Sequence, residues 1–312
     1  MSKSFERVVI VGSGCAGLSA AIYAARAQLN PLVIQGEMLG GLLSQTTEVE
    51  NFPGFPENVQ GMDLMDRMRK QAEKFATRFE NAKLVKVERT KENVNRLFLS
   101  NGKELQAQAL IIATGSRHNF LGLEGEQKLL GKGISVCATC DGFFYRNEDV
   151  CVIGGGDSAC EEALYLSRIC QKVYLIHRRD RLRASKIMSE RVCAHNRIEV
   201  MWNSVPQGFE CDEHGFLKAL NVFHKETQSV QKLMCSGIFL AIGWKPNTEV
   251  FKGFIDLEID GYVKQGRIAV ETSLPGVFAA GDCTDRKYRQ ACIAASMGIQ
   301  AALEAEGWLS HQ

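Results

Sequence analysis

The chain contains one sequence pattern twice: an apolar strand, a glycine turn and a helix. The first copy is VVIVGSGCAG at 8–17, and the second is VCVIGGGDSA at 150–159. A helical stretch follows each copy, and a second apolar run follows each helix. Strand, turn, helix and strand form a βαβ unit, whose right-handed crossover makes the two strands parallel. The repeat therefore predicts an α/β protein with two dinucleotide-binding units.

The glycines at these turns have steric roles. The first allows a tight turn, the second lets the backbone approach a pyrophosphate, and the third position lets helix and strand pack closely. The pyrophosphate would then lie at the positive end of the helix. The predicted binding residues are Gly12, Gly14, Ala16 and Gly17 in the first copy, and Gly154, Gly156, Asp157, Ser158 and Ala159 in the second. The alternative interpretation is a pair of glycine turns that bind no nucleotide.

The end of the second strand in each copy indicates which dinucleotide is bound. An acidic residue about 20 positions beyond the glycines usually binds the ribose hydroxyls. In the second copy that position is His177, Arg178 and Arg179, with Arg183 further on. Guanidinium groups suit a 2′-phosphate, so this copy predicts NADPH over NADH, unless the arginines are only a solvated helix start. In the first copy the position is Gln35, with Glu37 two residues later.

Three further strand-like segments indicate how the two units are arranged along the chain. LIIATGS (110–116) and IFLAIGWKPN (238–247) each end in glycine, and GVFAAGDC (276–283) ends in Gly281 and Asp282. An acid at such a strand end accepts hydrogen bonds from ribitol or ribose hydroxyls, or simply caps a turn. We predict two Rossmann-like domains, an FAD domain at 1–117 and 249–312, and an NADPH domain at 118–248 inserted into it. The chain would cross between them at Thr114-Gly115 and at Ile242-Gly243.

Composition excludes several classes of function. The 312 residues carry 37 basic and 36 acidic side chains, for a net charge of +1. This balance does not suggest a nucleic-acid or membrane-surface partner. We expect no signal peptide and no transmembrane helix, and therefore a cytoplasmic protein.

The segment ISVCATCDGFF at 134–144 holds two of the 11 cysteines, Cys137 and Cys140, followed by Asp141. A metal site would need two more ligands at a plausible spacing, and the chain has no second C-x-x-C. A buried structural pair is a further alternative. We favour a redox dithiol, because a C-x-x-C setting lowers a thiol pKa and a disulfide in a reducing compartment is usually catalytic. Asp141 would act as its general acid or base, or as a helix cap.

These segments together resemble one family over nearly the whole chain. The segments are GSGCAGLSAAIYAARA, TTEVENFPGFP (46–56), ATGS, CATCDGFF, IGGGDSACEEALYL, HRRDRLRAS, AIGWKPNT, GVFAAGDC and RQACIAASMGIQAALEA (289–305). They are similar to the low-molecular-weight thioredoxin reductases, whose cysteine pair lies in the NADPH domain. In general flavin disulfide reductases of the glutathione-reductase kind, the cysteines lie near the N-terminus, within the flavin domain.

The resemblance implies a reaction and a partner. NADPH would reduce FAD, the flavin would reduce the Cys137–Cys140 disulfide, and the dithiol would exchange with oxidised thioredoxin. Cys140 would face the flavin and Cys137 would attack the substrate disulfide. A homodimer formed through the flavin domains is also implied.

The resemblance also implies further cofactor contacts. A flavin-contacting loop follows Gly40 and Gly41, where Leu42 replaces the glutamine that is common in the family, and Gln45 follows. The complete FAD prediction is Gly12, Gly14, Ala16, Gly17, Gln35, Gly40, Gly41, Leu42, Gln45, Asn51, Val85, Ala113, Thr114, Gly115, Gly281, Asp282, Arg289, Gln290 and Ala291. The NADPH prediction adds Ile242 and Gly243 to the second turn and its arginines, and no metal ligand is predicted.

Other functions on the same fold remain open at this point. A ferredoxin– or flavodoxin–NADP reductase would lack the cysteine pair. A small-molecule dithiol oxidase usually lacks the arginines that bind NADPH. A nucleotide sensor without turnover would not bleach its flavin when NADPH is added.

Overall fold

The computed structural model describes residues 4–46 and 48–312, so that Thr47 of the TTEVENFPGFP segment lies outside the described residues. Its helices are α1 (Cys15–Arg26), α2 (Gly61–Lys74), α3 (Ala138–Asp141), α4 (Asp157–Leu166), α5 (Lys186–Cys193) and α6 (Ala291–Ser310). Its strands are β1 (Ser4–Val11), β2 (Leu32–Ile34), β3 (Glu48–Val49), β4 (Val59–Gln60), β5 (Arg78–Glu80), β6 (Leu84–Arg89), β7 (Asn95–Leu99), β8 (Glu104–Ile112), β9 (Ser116–His118), β10 (Ile134–Ser135), β11 (Asp149–Gly154), β12 (Lys172–Ile176), β13 (Ile198–Met201), β14 (Ser204–Cys211), β15 (Leu217–His224), β16 (Ser229–Met234), β17 (Gly237–Ala241), β18 (Trp244–Pro246) and β19 (Val277–Ala279).

The chain folds into two compact units. The first combines the residues up to Arg117 with Lys245–Gln312, and the second is His118–Trp244. The inserted unit therefore ends four residues before the predicted boundary at residue 248. The reason is Asn247, whose backbone N–H and side-chain amide both donate at 3.0 Å, to the carbonyls of Gly115 and Thr114. These bonds attach the returning chain to the first unit.

The first unit is built on a seven-stranded sheet in the order β5-β2-β1-β8-β7-β6, with β19 also paired to β8. β1 pairs in parallel with β2 and β8, and β7 pairs antiparallel with β6 and β8. Val8, Val9 and Ile10 in β1 have no exposed surface. A parallel strand covered on both faces is apolar throughout, which explains the continuous VVIV run.

The second unit contains a five-stranded parallel sheet in the order β10-β17-β11-β12-β13. Its central strand β11 is again fully buried at Val150, Cys151 and Val152. A separate antiparallel sheet, β14-β15-β16, completes the unit. In both sheets the glycine turns follow the central strands, β1 and β11, at their carboxyl ends.

Within the described ranges, no helix combines the length and the apolar character that crossing a membrane requires.

Candidate active site and cofactor-binding turns

Cys137 and Cys140 are joined by a disulfide, with their Cα atoms 5.3 Å apart. Cys137 has extended backbone and precedes the short helix α3, which contains Cys140. The backbone N–H groups of Cys140 and Asp141 both donate to the Cys137 carbonyl, at 3.2 and 3.1 Å. One helical turn therefore brings the two sulfurs together across two intervening residues. Both cysteines are partly exposed, so a substrate can reach the bridge.

Asp141 is held next to the disulfide by Ser135, which the sequence analysis did not single out. The Ser135 hydroxyl donates to Asp141 Oδ2 at 2.6 Å and accepts from the Cys137 backbone N–H at 3.1 Å. Burial raises the pKa of Asp141, and the Ser135 hydrogen bond opposes the rise. The Asp141 side chain makes no capping hydrogen bond to the turn that follows. The raised pKa suits proton transfer to and from the dithiol.

The first glycine turn is closed by backbone contacts that leave no room for side chains. Gly12 has φ +116°, and a Cβ there would lie 2.1 Å from the Ala113 carbonyl oxygen. A Cβ on Gly17 would lie 1.9 Å from the Gly12 carbonyl oxygen. A Cβ on Gly14 would instead meet its nearest atom at 3.9 Å. Gly12 and Gly17 are thus fixed by packing, whereas Gly14 keeps an open face at the start of α1.

The second turn has the same division of roles. A Cβ on Gly154 would lie 2.6 Å from the Ala241 carbonyl oxygen, whereas one on Gly156 would meet no atom within 4 Å. Gly156 precedes the first residue of α4, and no side chain caps the helix N-terminus from this position. The open space at Gly14 and Gly156, beside helix N-H groups, fits the pyrophosphate of a dinucleotide at both turns. Ser158 is exposed and Ala159 is buried in the first turn of α4.

The segment HRRDRLRAS at 177–185, called the arginine loop below, follows β12 and is hydrogen-bonded to this second turn. The Arg183 N–H donates to the Gly155 carbonyl at 2.6 Å, and the Ser185 N–H donates to Asp157 Oδ1 at 2.9 Å. The Ser185 hydrogen bond lowers the pKa of Asp157. Arg178, Arg179 and Arg183 are exposed. Arg181 on the same loop is exposed as well, so the structure places four solvent-facing guanidinium groups on a loop fastened to the glycine turn.

Comparisons with known proteins show which family the chain resembles. Residues 6–298 match the family model described as pyridine nucleotide-disulphide oxidoreductase. A thioredoxin reductase of Mycolicibacterium smegmatis is 47% identical over 314 residues, covering 100% of this chain and 99% of that protein. One from Rickettsia conorii is 45% identical, covering 99% of each.

The chain belongs to the low-molecular-weight thioredoxin reductase family.

Solved thioredoxin reductases confirm the predicted α/β fold. The structure from Giardia duodenalis superimposes with a TM-score of 0.92 at 36% identity, covering 99% of this chain and 100% of that one. The structure from Streptococcus pyogenes gives 0.93 at 32% identity, covering 100% of both chains. Membership of this family makes the protein a flavoprotein oxidoreductase that uses a nicotinamide cofactor. The ferredoxin or flavodoxin reductase and the dithiol oxidase are not favoured.

Around Ala16, the thioredoxin reductase fold brings distant segments to the first turn. A Cβ on Gly281, which has φ +79°, would lie 3.0 Å from the Ala16 Cβ. A Cβ on Gly298 in α6 would lie 2.0 Å from the Ala16 carbonyl oxygen. Burial raises the pKa of Asp282 to about 6, with Asp285 adding to the rise and Arg289 opposing it. The predicted Gly281 and Asp282 therefore lie at the first turn, and Gly298 joins them.

The loop at 40–45 also packs on the first turn. The Gly40 N–H donates to the Ser13 hydroxyl at 3.3 Å, and a Cβ on Gly41 would lie 3.1 Å from the Gly14 Cα. Leu42 and Gln45 begin and end a single 3₁₀ turn that follows. Gln35 is buried directly after β2, while Glu37 is exposed and forms an ion pair with Lys83 at 3.2 Å.

The RQA segment is shaped by Asp285, which sequence reasoning missed. Asp285 Oδ2 accepts from the Arg289 N–H at 2.8 Å, and Arg289 adopts φ +46°. Gln290 precedes α6, which begins at Ala291. The Asn51 side-chain amide donates to Gln290 Oε1 at 3.4 Å, so two predicted flavin residues meet. The predicted Val85 lies on β6 at the sheet edge and is 53% exposed.

His177, a predicted cofactor contact, lies at the second turn with both ring nitrogens facing backbone carbonyls. The ring is only 5% exposed. Its Nδ1 lies 2.8 Å from the Gly154 carbonyl oxygen, and its Nε2 lies 2.9 Å from the Arg181 carbonyl oxygen. Neither nitrogen is directed at solvent, so His177 has a structural place in this site. Ile242 and Gly243 follow β17, and their carbonyls accept from Asn119 at 3.3 and 3.0 Å.

Two phenylalanines beside the disulfide were also missed. Phe143 is 57% exposed and Phe144 is 44% exposed, in the 3₁₀ turn that follows α3. The next residue, Tyr145, anchors the turn by an edge-on contact with Phe239, with ring centroids 5.4 Å apart. Exposed neighbouring aromatics on an anchored turn are typical of a contact surface. The signal in the sequence was the FF pair after an acid and a glycine.

Among the described residues, no group of three or more His, Cys, Asp or Glu side chains is arranged to hold a metal ion.

Proposed function

We propose that this protein is an NADPH-dependent, FAD-containing thioredoxin-disulfide reductase. The observation that carries the proposal is the position of the Cys137–Cys140 disulfide. It lies in the same unit, His118–Trp244, as the second glycine turn and the arginine loop. The names of full-length relatives at 45% and 47% identity support thioredoxin as the substrate.

Each turn would hold one cofactor. FAD would bind at the first turn, with its pyrophosphate over Gly14 and its ribitol or ribose hydroxyls near Asp282 and Gln35. NADPH would bind at the second turn, with its pyrophosphate over Gly156 and its 2′-phosphate at three of the exposed arginines, Arg178, Arg179 and Arg183. When bound, the two cofactors supply the electron pair that opens the disulfide.

The remaining chemistry belongs to the chain itself. The Cys137 thiolate attacks one sulfur of the thioredoxin disulfide and displaces the other as a thiolate, which leaves a mixed disulfide. The Cys140 thiolate then attacks the Cys137 sulfur, which releases the second thioredoxin thiolate and restores the Cys137–Cys140 bridge. The enzyme dithiol is oxidised as the thioredoxin disulfide is reduced. Asp141, with its raised pKa, holds and returns the proton that the thiols exchange.

The exposed Phe143 and Phe144 would contact the protein substrate. Aromatic side chains contribute most of the binding energy in many protein interfaces. Their position directly after α3 would place that contact next to the sulfur that attacks. A small disulfide substrate would need no such contact.

We further propose a homodimer in a reducing, cytoplasmic compartment. Tyr23, Met62 and Leu303 are exposed apolar side chains on the helices of the first unit, where the resemblance implies the dimer contact. The nine cysteines outside the disulfide are free thiols, which suits a reducing compartment. Light scattering on a sizing column measures the oligomer directly.

Thioredoxin reduction with NADPH tests the proposal, with NADH and the Cys137→Ser variant run in parallel. We expect turnover with NADPH, much less with NADH, and none with Cys137→Ser. The variant should still be yellow and should still bleach with NADPH, because its flavin site is intact. Full thioredoxin turnover in Cys137→Ser would remove the role given to that cysteine, and equal use of NADH would remove the role given to the arginines.

A further inference from the structure

His177 lies between the two parts of the second cofactor site. Its ring is buried, with Nδ1 at 2.8 Å from the Gly154 carbonyl oxygen and Nε2 at 2.9 Å from the Arg181 carbonyl oxygen. Gly154 begins the glycine turn, and Arg181 lies in the middle of the arginine loop. One imidazole therefore spans the pyrophosphate side and the 2′-phosphate side of the site.

The chemistry of the contacts makes the ring a bridge. Carbonyl oxygens only accept hydrogen bonds, so both contacts are hydrogen bonds at once only when both ring nitrogens carry a hydrogen, which is the imidazolium form. Buried polar groups without a partner are costly, which favours keeping both contacts. The backbone of His177 is fixed as well, because its N–H donates to the Met201 carbonyl and its carbonyl accepts from Ser204, both at 2.9 Å.

The glycine turn is built around this ring. A Cβ on Gly155 would lie 2.1 Å from His177 Nδ1 and 2.2 Å from its Cε1. Gly155 is not part of the G-x-G-x-x-A pattern, so the pyrophosphate does not explain it. The imidazole does, because it occupies the place of a side chain at residue 155. Trp202 closes the other side with an edge-on contact, its ring centroid 6.3 Å away.

We propose that His177 is a positioning residue that sets the preference for the 2′-phosphate, and that it is not itself a ligand of the cofactor. This rests on the proposed binding of NADPH at the second turn. By fixing the Arg181 carbonyl relative to Gly154, His177 holds the flanking Arg179 and Arg183 at one distance from the pyrophosphate turn. Without that tie the middle of the loop is no longer fixed, although the Arg183–Gly155 and Ser185–Asp157 hydrogen bonds still attach its far end to the turn.

Two substitutions separate the two ends of the bridge. His177→Asn keeps a donor close to the position of Nδ1, and so keeps the tie to Gly154 while losing the tie to Arg181. His177→Gln reaches the position of Nε2, and so keeps the tie to Arg181 while losing the tie to Gly154. His195→Asn is the matched control, because His195 lies in the same unit but contacts neither the glycine turn nor the loop: its Nδ1 accepts from the Arg197 N–H at 3.2 Å and its Nε2 lies 3.3 Å from the Ser167 hydroxyl.

The experiment measures equilibrium binding of NADP⁺ and NAD⁺ to the flavin-loaded protein by calorimetry, with thermal unfolding as a check on folding. In His177→Asn we expect the Kd for NADP⁺ to rise about tenfold, which is the effect of losing roughly one buried hydrogen bond. The Kd for NAD⁺ should change less than about twofold. In His177→Gln both Kd values should rise by the same factor, so the preference is kept. The steady-state KM for NADPH should rise in both, with kcat unchanged.

The outcomes are distinct. If His177→Asn prefers NADP⁺ over NAD⁺ by the same factor as the wild-type protein, the inference is overturned, whatever the change in unfolding temperature. If His177→Asn does not fold, unchanged Kd values for both nucleotides in His177→Gln overturn it equally. Equal wild-type affinity for NAD⁺ and NADP⁺ would remove the NADPH proposal, and this inference with it.

Discussion

Neither backbone conformation nor packing within the protein requires a glycine at residue 156. Its backbone, with φ −95° and ψ −178°, is one that any residue adopts, and a Cβ there would meet no atom within 4 Å. Replacing glycine with alanine at such a backbone position stabilises a fold by about 0.4–1 kcal/mol, because the unfolded chain loses freedom. Gly156 is also the N-cap of α4, where alanine costs about 1 kcal/mol relative to a favourable cap, so the two effects oppose each other. Gly156→Ala should therefore fold normally, keep its flavin and unfold at nearly the same temperature.

Binding of the nicotinamide cofactor should suffer instead. In the proposed complex, the new methyl group occupies space that the pyrophosphate needs. Forcing an extra methyl group into a filled space costs about 1–3 kcal/mol. Since about 1.4 kcal/mol corresponds to tenfold in Kd, we expect NADP⁺ binding to weaken roughly 5- to 150-fold.

The assay is calorimetric titration of NADP⁺ into the flavin-loaded variant, with thermal unfolding measured on the same sample. Gly154→Ala is the control with the opposite pattern, because its Cβ would lie 2.6 Å from the Ala241 carbonyl oxygen and 2.7 Å from the Ala159 Cβ. That variant should lose stability first. An unchanged Kd for NADP⁺ in a stable Gly156→Ala protein would refute the placement of the pyrophosphate.

Three further results are expected. Asp141→Asn should slow thioredoxin reduction roughly 10²-fold while flavin bleaching by NADPH keeps its rate, since the acid acts only on the dithiol; equal slowing of both steps would contradict this. Phe143→Ala should raise the KM for thioredoxin roughly tenfold and leave a small disulfide substrate unaffected, with Phe216→Ala, 50% exposed in the same unit, as control. Asp282 has a pKa of about 6 in the folded protein, against 3.8 when unperturbed. Between these two pH values the folded flavin-free protein holds a proton that the unfolded chain releases. The free energy of unfolding therefore falls as the pH rises from about 4 to 6. Asp282→Asn should remove that fall, about 3 kcal/mol at 1.36 kcal/mol per pH unit, as measured by denaturant unfolding at each pH; a variant with the wild-type pH dependence would disprove it.

The parts of the fold that the sequence predicts well are those where packing leaves a periodic mark. β1 and β11 are buried on both faces, so each appears as an unbroken apolar run. The sheet formed by β14, β15 and β16 has no such mark. β14 contains Pro206 and Gly208, which weaken a strand pattern, and its pairing with β15 shifts register between those two residues.

The site shows the same limit in its side chains. The cysteine spacing already indicates a pair that can close, and the structure adds only the turn that closes it. Ser135 could not be assigned, because its contact with Asp141 depends on how β10 meets α3. The sequence gives the position of His177 after β12 and not the direction of its ring, so its contacts with two backbone carbonyls could not be predicted.

The two glycine turns solve one packing problem in two ways, which explains why their third positions differ. In the first turn, the Gly12 carbonyl oxygen would lie 1.9 Å from a Cβ at residue 17, so only glycine is accommodated there. In the second turn, Ala159 has a methyl group at the equivalent position, and a Cβ on Gly154 would lie 2.7 Å from it. The second turn therefore accepts a methyl at its third position only while its first position has none. Exchanging the third residues is not symmetrical: Gly17→Ala forces two backbone segments apart, whereas Ala159→Gly only leaves a small space in α4. In each turn the first and third positions of the glycine pattern are in contact, so the residue allowed at one depends on the residue at the other. Only the second position, Gly14 or Gly156, is free of this packing and leaves room for a ligand.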